Sequence, residues 1–123
     1  MNSTPVAVER VIEKFKDAVA NNRCNMARRS KNDDFLSLIG WLPTQVFSYL
    51  EETLTCKHYV SGPDMNIGSS GPKKGGVWVF GVDIEGYEVY VKMHDLPVPG
   101  GPSFCCISFH ESEGGKKLKY PHK

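Results

Sequence analysis

With 123 residues the chain has room for one hydrophobic core of about two layers and not for two independent ones. Its 15 Lys+Arg against 14 Asp+Glu leave a formal net charge of +1, so neither a strongly basic nucleic-acid binder nor an acidic tail follows from global charge. No apolar run approaches the roughly 20 residues that cross a bilayer, and the N-terminus lacks the basic-then-apolar layout of a signal peptide; a cytoplasmic protein is expected. Cys24, Cys56, Cys105 and Cys106 form no C-x-x-C pair, and neighbours in a strand point to opposite faces. Reduced, partly buried thiols are therefore expected, with no metal and no cofactor.

In chain order, Val8, Ile12, Phe15 and Val19 recur at helical spacing between charged residues and predict an amphipathic helix from about Pro5 to about Asn21, with Ser3 and Thr4 placed to cap it. The segment from Asn21 to Ser30 reads as a loop, and over it and the next residue Arg23, Arg28, Arg29 and Lys31 cluster without an acid. Such a cluster can touch phosphates, although most charged runs are solvated faces; the same holds for Lys116, Lys117, Lys119 and Lys123 at the chain's end. A short helix over Asp33–Ile39, capped by Asp33 or Asn32, is followed by a third helix from Pro43 to about Leu54 with Val46, Phe47, Leu50 and Leu54 inward. Ser61 to Gly76, rich in Gly, Pro, Ser and Lys, reads as a long loop. Strands follow at Val77–Val82, Tyr87–Met93 and Ser103–His110. The expectation is one α+β domain over residues 1–123, mainly helical over 1–60, with sheet and C-terminal tail over 77–123. Helices pack on one face of a small antiparallel sheet and the other face stays open.

That open face carries the chemistry. Alternation places Val89, Val91 and Met93 inward and Glu88, Tyr90 and Lys92 outward; on the last strand Cys105, Ile107 and Phe109 go one way and Cys106, Ser108 and His110 the other. Pairing of the two strands gathers Tyr90, Lys92, Ser108 and His110 on one surface. Metal-free cleavage of RNA requires a base for the 2′-hydroxyl, an acid for the leaving 5′-oxygen and a cation on the phosphate. Histidine titrates near neutrality, at about 6.5, lysine is a point charge and tyrosine a hydroxyl donor. Glu88 could orient Lys92. Trp78 and Phe80 can stack on bases if they share this face, whereas aromatic residues of a central strand are mostly core. Lys57 and His58 are candidates for a supporting role.

Arg28-x-x-Lys31-Asn32-x-x-Phe35-Leu36, Gly40-Trp41-Leu42-Pro43, His58 to Pro63, Val77 to Gly81, Glu88-Val89-Tyr90-Val91-Lys92, Cys106 to His110 and Leu118-Lys119-Tyr120-Pro121 together resemble the MqsR-type toxins of bacterial toxin–antitoxin systems. The resemblance implies a RelE-like ribonuclease fold, metal-independent endonucleolytic cleavage of mRNA and a cognate antitoxin partner. It implies catalytic roles for Tyr90, Lys92 and His110, with Lys57, His58, Trp78, Glu88, Ser108 and Arg28 toward substrate. Where the founding member of that family has Trp-Gln this chain has Trp78-Val79, and His110 stands where its best-known member has lysine. The alternative is a nuclease-inactive module that holds RNA or a protein on the same face.

Overall fold

The computed structural model describes residues 2–65, 67–68, 71–72, 75–113 and 117–123. Lys116 of the terminal basic cluster, and residues 66, 69–70 and 73–74 of the expected long loop, lie outside the described residues.

The α1 helix spans Pro5–Ala20. Its first turn is closed as the sequence predicts: Ala7 N–H donates to Thr4 Oγ1 at 3.2 Å, and Pro5 enters with its φ already helical. It buries Val8, Val11, Ile12, Phe15 and Ala18. The α2 helix, Ser30–Ile39, begins earlier than expected, and neither Asp33 nor Asn32 is its cap. The α3 helix covers Pro43–Thr53.

Among the described residues a five-stranded sheet runs in the order β1 (Cys24–Met26), β7 (Ser103–Glu111), β6 (Tyr87–Leu96), β5 (Val77–Ile84) and β2 (Tyr59–Asp64). The short strands β3 (Ile67–Gly68) and β4 (Gly71–Pro72) pair by themselves. The sheet is mixed, not antiparallel, because β1 runs parallel to β7. The sequence conceals β1: three residues are too few to display a period, and this strand lies inside the Asn/Arg segment read as a loop. The expected loop at Ser61 likewise begins as an edge strand, β2, whose pairing with β5 is irregular. Between β5 and β6, Glu85 and Gly86 adopt φ of 53° and 83°, the two left-handed residues of a tight hairpin turn.

The helices cover one face of the sheet. Phe15 presents edges to Phe47 and Phe104, with centroids 6.4 and 5.5 Å away, and Phe35 packs on Phe109 at 5.6 Å. Register puts Trp78, Phe80 and Val82 opposite Met93, Val91 and Val89, all on this core face.

The final strand departs from simple alternation. Lys92 pairs with Ser108 but Met93 pairs with Cys106, so Ile107 is an extra residue and the strand changes phase there. Cys106 is consequently fully buried on the core face, not on the polar face with Ser108 and His110 as strict alternation predicts. The cause lies in α2. Strand β1 stops opposite Cys106, and beyond it the buried Asn32 side chain replaces it. Asn32 Nδ2 donates to the carbonyls of Ala27 (3.1 Å) and Ile107 (3.0 Å), and Oδ1 accepts from Phe109 N–H (2.9 Å). Without it the Phe109 N–H would be buried unpaired, at about 1–3 kcal/mol, and the Ile107 carbonyl would keep only Arg29 Nη1, 3.4 Å away.

Candidate active site

Three strands meet in one row on the polar face. Gly81 of β5 is opposite Tyr90 of β6, and Tyr90 is opposite His110 of β7. The Tyr90 and His110 rings stack, centroids 5.6 Å apart and planes at 23°. His110 Nδ1 lies 3.0 Å from the Glu111 carbonyl oxygen. A carbonyl only accepts, so Nδ1 carries the proton, and in the neutral ring Nε2 is the acceptor. Glu113 Oε1 lies 4.0 Å from the same Nδ1 and is ion-paired to Lys31, which holds the Glu113 carboxyl below the usual carboxylate range. Burial raises the Tyr90 phenol above its ordinary value, so at neutral pH it is an O–H donor and not a base. Tyr90, His110, Glu113 and Lys117 border a cavity of about 430 Å³.

The polar face is not open over its whole width. The last residues, 117–123, run back across it as a strap. Leu118 N–H donates to Glu88 Oε1 at 2.9 Å and the Tyr120 hydroxyl to Glu88 Oε2 at 2.8 Å. Tyr120 and Leu118 occupy the place of a side chain at Gly81, where a Cβ would overlap both. Further along, His122 stacks on Tyr59 with centroids 5.2 Å apart, and its Nε2 reaches Ser3 O at 2.6 Å. Beyond the strap lies a second cavity, about 630 Å³, bordered by Lys57, His58, Asp83 and Lys123. Lys117 and Leu118 border both cavities, so the strap is the wall between them.

The residues expected at the site therefore separate. Tyr90 and His110 come together. Lys92 shares their face but stands one row away, between Val79 and Ser108, and borders neither cavity. Lys57 and His58 border the second cavity. His58 Nδ1 accepts from Thr55 N–H at 3.1 Å, closing a turn, and burial lowers its pKa toward the neutral ring.

The other expectations are corrected by burial and bonding. Trp78, 8% exposed, packs against Tyr59 on the core face and offers no ring to a base. Ser108, 5% exposed, accepts from Arg29 Nη1 at 3.4 Å and is closed to a substrate. Both carboxylate oxygens of Glu88 hold the strap, so Glu88 does not orient Lys92, and it borders the second cavity with its oxygens already engaged. Arg28 is exposed and pairs with Asp33 at 3.4 Å, away from both cavities. Sequence reasoning missed Glu113, three residues beyond His110 and within its reach, and Lys117, visible there only as part of a basic tail.

Among the described residues no group of three or more His, Cys, Asp or Glu side chains is arranged to hold a metal ion, and no helix is long and apolar enough to cross a membrane. Compared with protein-family models, curated proteins and solved structures, the chain matches none.

Proposed function

We propose that this chain is an endoribonuclease of RelE-like fold that cleaves mRNA without a metal ion, the toxin partner of a cognate antitoxin in the cytoplasm. One observation carries the reading: Tyr90 and His110 stack at the wall of a single cavity, with His110 Nδ1 tied to a carbonyl. Tautomer fixation leaves Nε2 as the base, and a phenol kept protonated by burial supplies the acid. In the reaction the 2′-hydroxyl gives its proton to His110 Nε2 and attacks phosphorus. The P–O2′ bond forms, the P–O5′ bond breaks, and the 5′-oxygen leaves with the Tyr90 proton. Proton return from the imidazolium to the phenolate restores both side chains, and the product end is a 2′,3′-cyclic phosphate. Lys92, one row away, contacts a flanking phosphate, and Lys57 with His58 receives the chain in the second cavity.

The test is cleavage of mixed-sequence RNA in chelator with mapped ends, together with growth on induction. The wild type is expected to leave cyclic phosphate ends and to arrest growth, and His110→Ala and Tyr90→Phe each to lose about 10²–10⁴-fold in rate. Intact RNA with the wild type would overturn the reading. Salt-dependent RNA binding with no product would transfer the face to a nuclease-inactive module.

A further inference from the structure

We propose that Lys117 is the cation that stabilises the reacting phosphate in the Tyr90/His110 cavity, and that Glu88 is the positioning residue that holds it there through the strap. The inference rests on the ribonuclease reading above and supplies what that reading lacks. A phosphorane gains negative charge as the 2′-oxygen attacks, and a fixed cation beside it lowers the barrier most where water is partly excluded. Neither Tyr90, a neutral donor, nor His110, neutral when it acts as base, meets that need. The cations nearby are otherwise placed. Lys92 does not border the cavity, and Lys31 is paired with Glu113.

Lys117 borders the cavity and, among the described residues, enters no ion pair. A lysine on a free tail would lose its conformational freedom at the moment of reaction. Here the main chain is tethered beforehand, because the next residue, Leu118, is clamped by its N–H to Glu88 Oε1. The second oxygen of the same carboxylate fixes Tyr120, and the missing side chain at Gly81 gives the strap its seat. The row Gly81–Tyr90–His110 thus joins the strap's seat directly to the ring pair. A glycine in the middle of a central strand is unfavourable for the strand alone, and the close approach of the tail gives its reason.

Three readouts on the full-length chain test this. In RNA cleavage Lys117→Ala is expected to lower kcat about a hundredfold with little change in KM, and Lys117→Arg to recover most of it. Inorganic phosphate, titrated against the His110 ring protons by NMR, is expected to bind the wild type and to bind Lys117→Ala at least about tenfold more weakly. Glu88→Ala and Gly81→Ala, which leave Lys117 in place but unseat the strap, are expected to reproduce both losses and to speed trypsin cutting after Lys117 and Lys119. The inference is overturned if Lys117→Ala cleaves RNA and binds phosphate like the wild type while His110→Ala is inactive; the ribonuclease reading then stands. It is also overturned if the loss lies in KM alone, which would make Lys117 an RNA-docking residue. Should the wild type cleave no RNA, the ribonuclease reading falls. Lys117-dependent phosphate binding then still identifies the anion site, and its absence removes that too.

Discussion

The two faces of strands β5, β6 and β7 are closed by different forces. On one, Trp78, Phe80, Val82, Val89, Val91, Met93 and Phe109 are buried under helices by apolar packing that belongs to the whole core. On the other, the Gly81–Tyr90–His110 row is closed by a few tail residues whose main tie is one carboxylate. Apolar burial is non-directional and spread over many contacts, so that face opens only when the domain unfolds. Hydrogen bonds at a partly exposed carboxylate are directional and individually worth about 1–3 kcal/mol. The polar face can therefore be rebuilt or opened while the core persists, an asymmetry that suits the polymer substrate proposed above.

The sharpest way to break that contrast is to injure the core side alone. Phe109 is fully buried against Phe35, next in sequence to His110. Phe109→Ala is expected to cost about 3–5 kcal/mol, seen as a lower urea midpoint with tail, sheet and helices unfolding together. A midpoint within about 0.5 kcal/mol of wild type would show that the core face does not dominate stability.

A smaller effect is expected at the seam between the faces. Asn32→Leu keeps the volume of the side chain but leaves Phe109 N–H without its partner and Ile107 C=O with Arg29 Nη1 at 3.4 Å in place of the shorter bond. The expected loss is about 1–3 kcal/mol for an unpaired buried group, with faster exchange of the Phe109 amide and reduced RNA cleavage, because the bulge that aims His110 loses its support. Unchanged exchange at Phe109 would show that water, not Asn32, satisfies the bulge.

The same two faces explain how much the sequence conveys. Strand β6 is uninterrupted, and its period-two pattern correctly assigns Val89, Val91 and Met93 to the core and Tyr90 and Lys92 to the polar side. Thr4-Pro5 and Gly40 mark helix ends by rules local to a few residues. Strand β7 follows no local rule at Ile107: its phase change depends on Asn32, whose partners lie 75 and 77 residues further along the chain. Alternation accordingly assigns Cys106 to the wrong face, and the local sequence shows Asn32 only as a candidate helix cap. Glu88 and Lys117 fail for a related reason. Their relation exists only because the tail returns across the sheet, at a separation of 30 residues between Glu88 and Leu118, and a basic tail looks the same whether it is docked or free. Contacts within a period are legible; a contact that requires the fold to be complete is not.

The gentlest probe of the contrast is alkaline pH. Burial raises the phenol of Tyr90, and burial reinforced by the bond to Glu88 raises that of Tyr120. An unfolded tyrosine ionises at about 10, so over the interval above that value the unfolded chain releases protons that the folded chain keeps. Stability from these groups is thus complete below about pH 10 and is lost as pH climbs through their folded values. Ionised Tyr120 would also set a phenolate against the Glu88 carboxylate, which unseats the strap. On the core face burial likewise holds the protons of the Cys24 and Cys106 thiols. In absorbance at 295 nm, Tyr90→Phe and Tyr120→Phe are each expected to remove one late-ionising phenol. Strap amide signals of the wild type are expected to move before the emission of Trp78, measured in a Trp41→Phe background, changes. Simultaneous movement would mean that strap and core open as one unit, and the two faces would then differ in composition but not in how they are held.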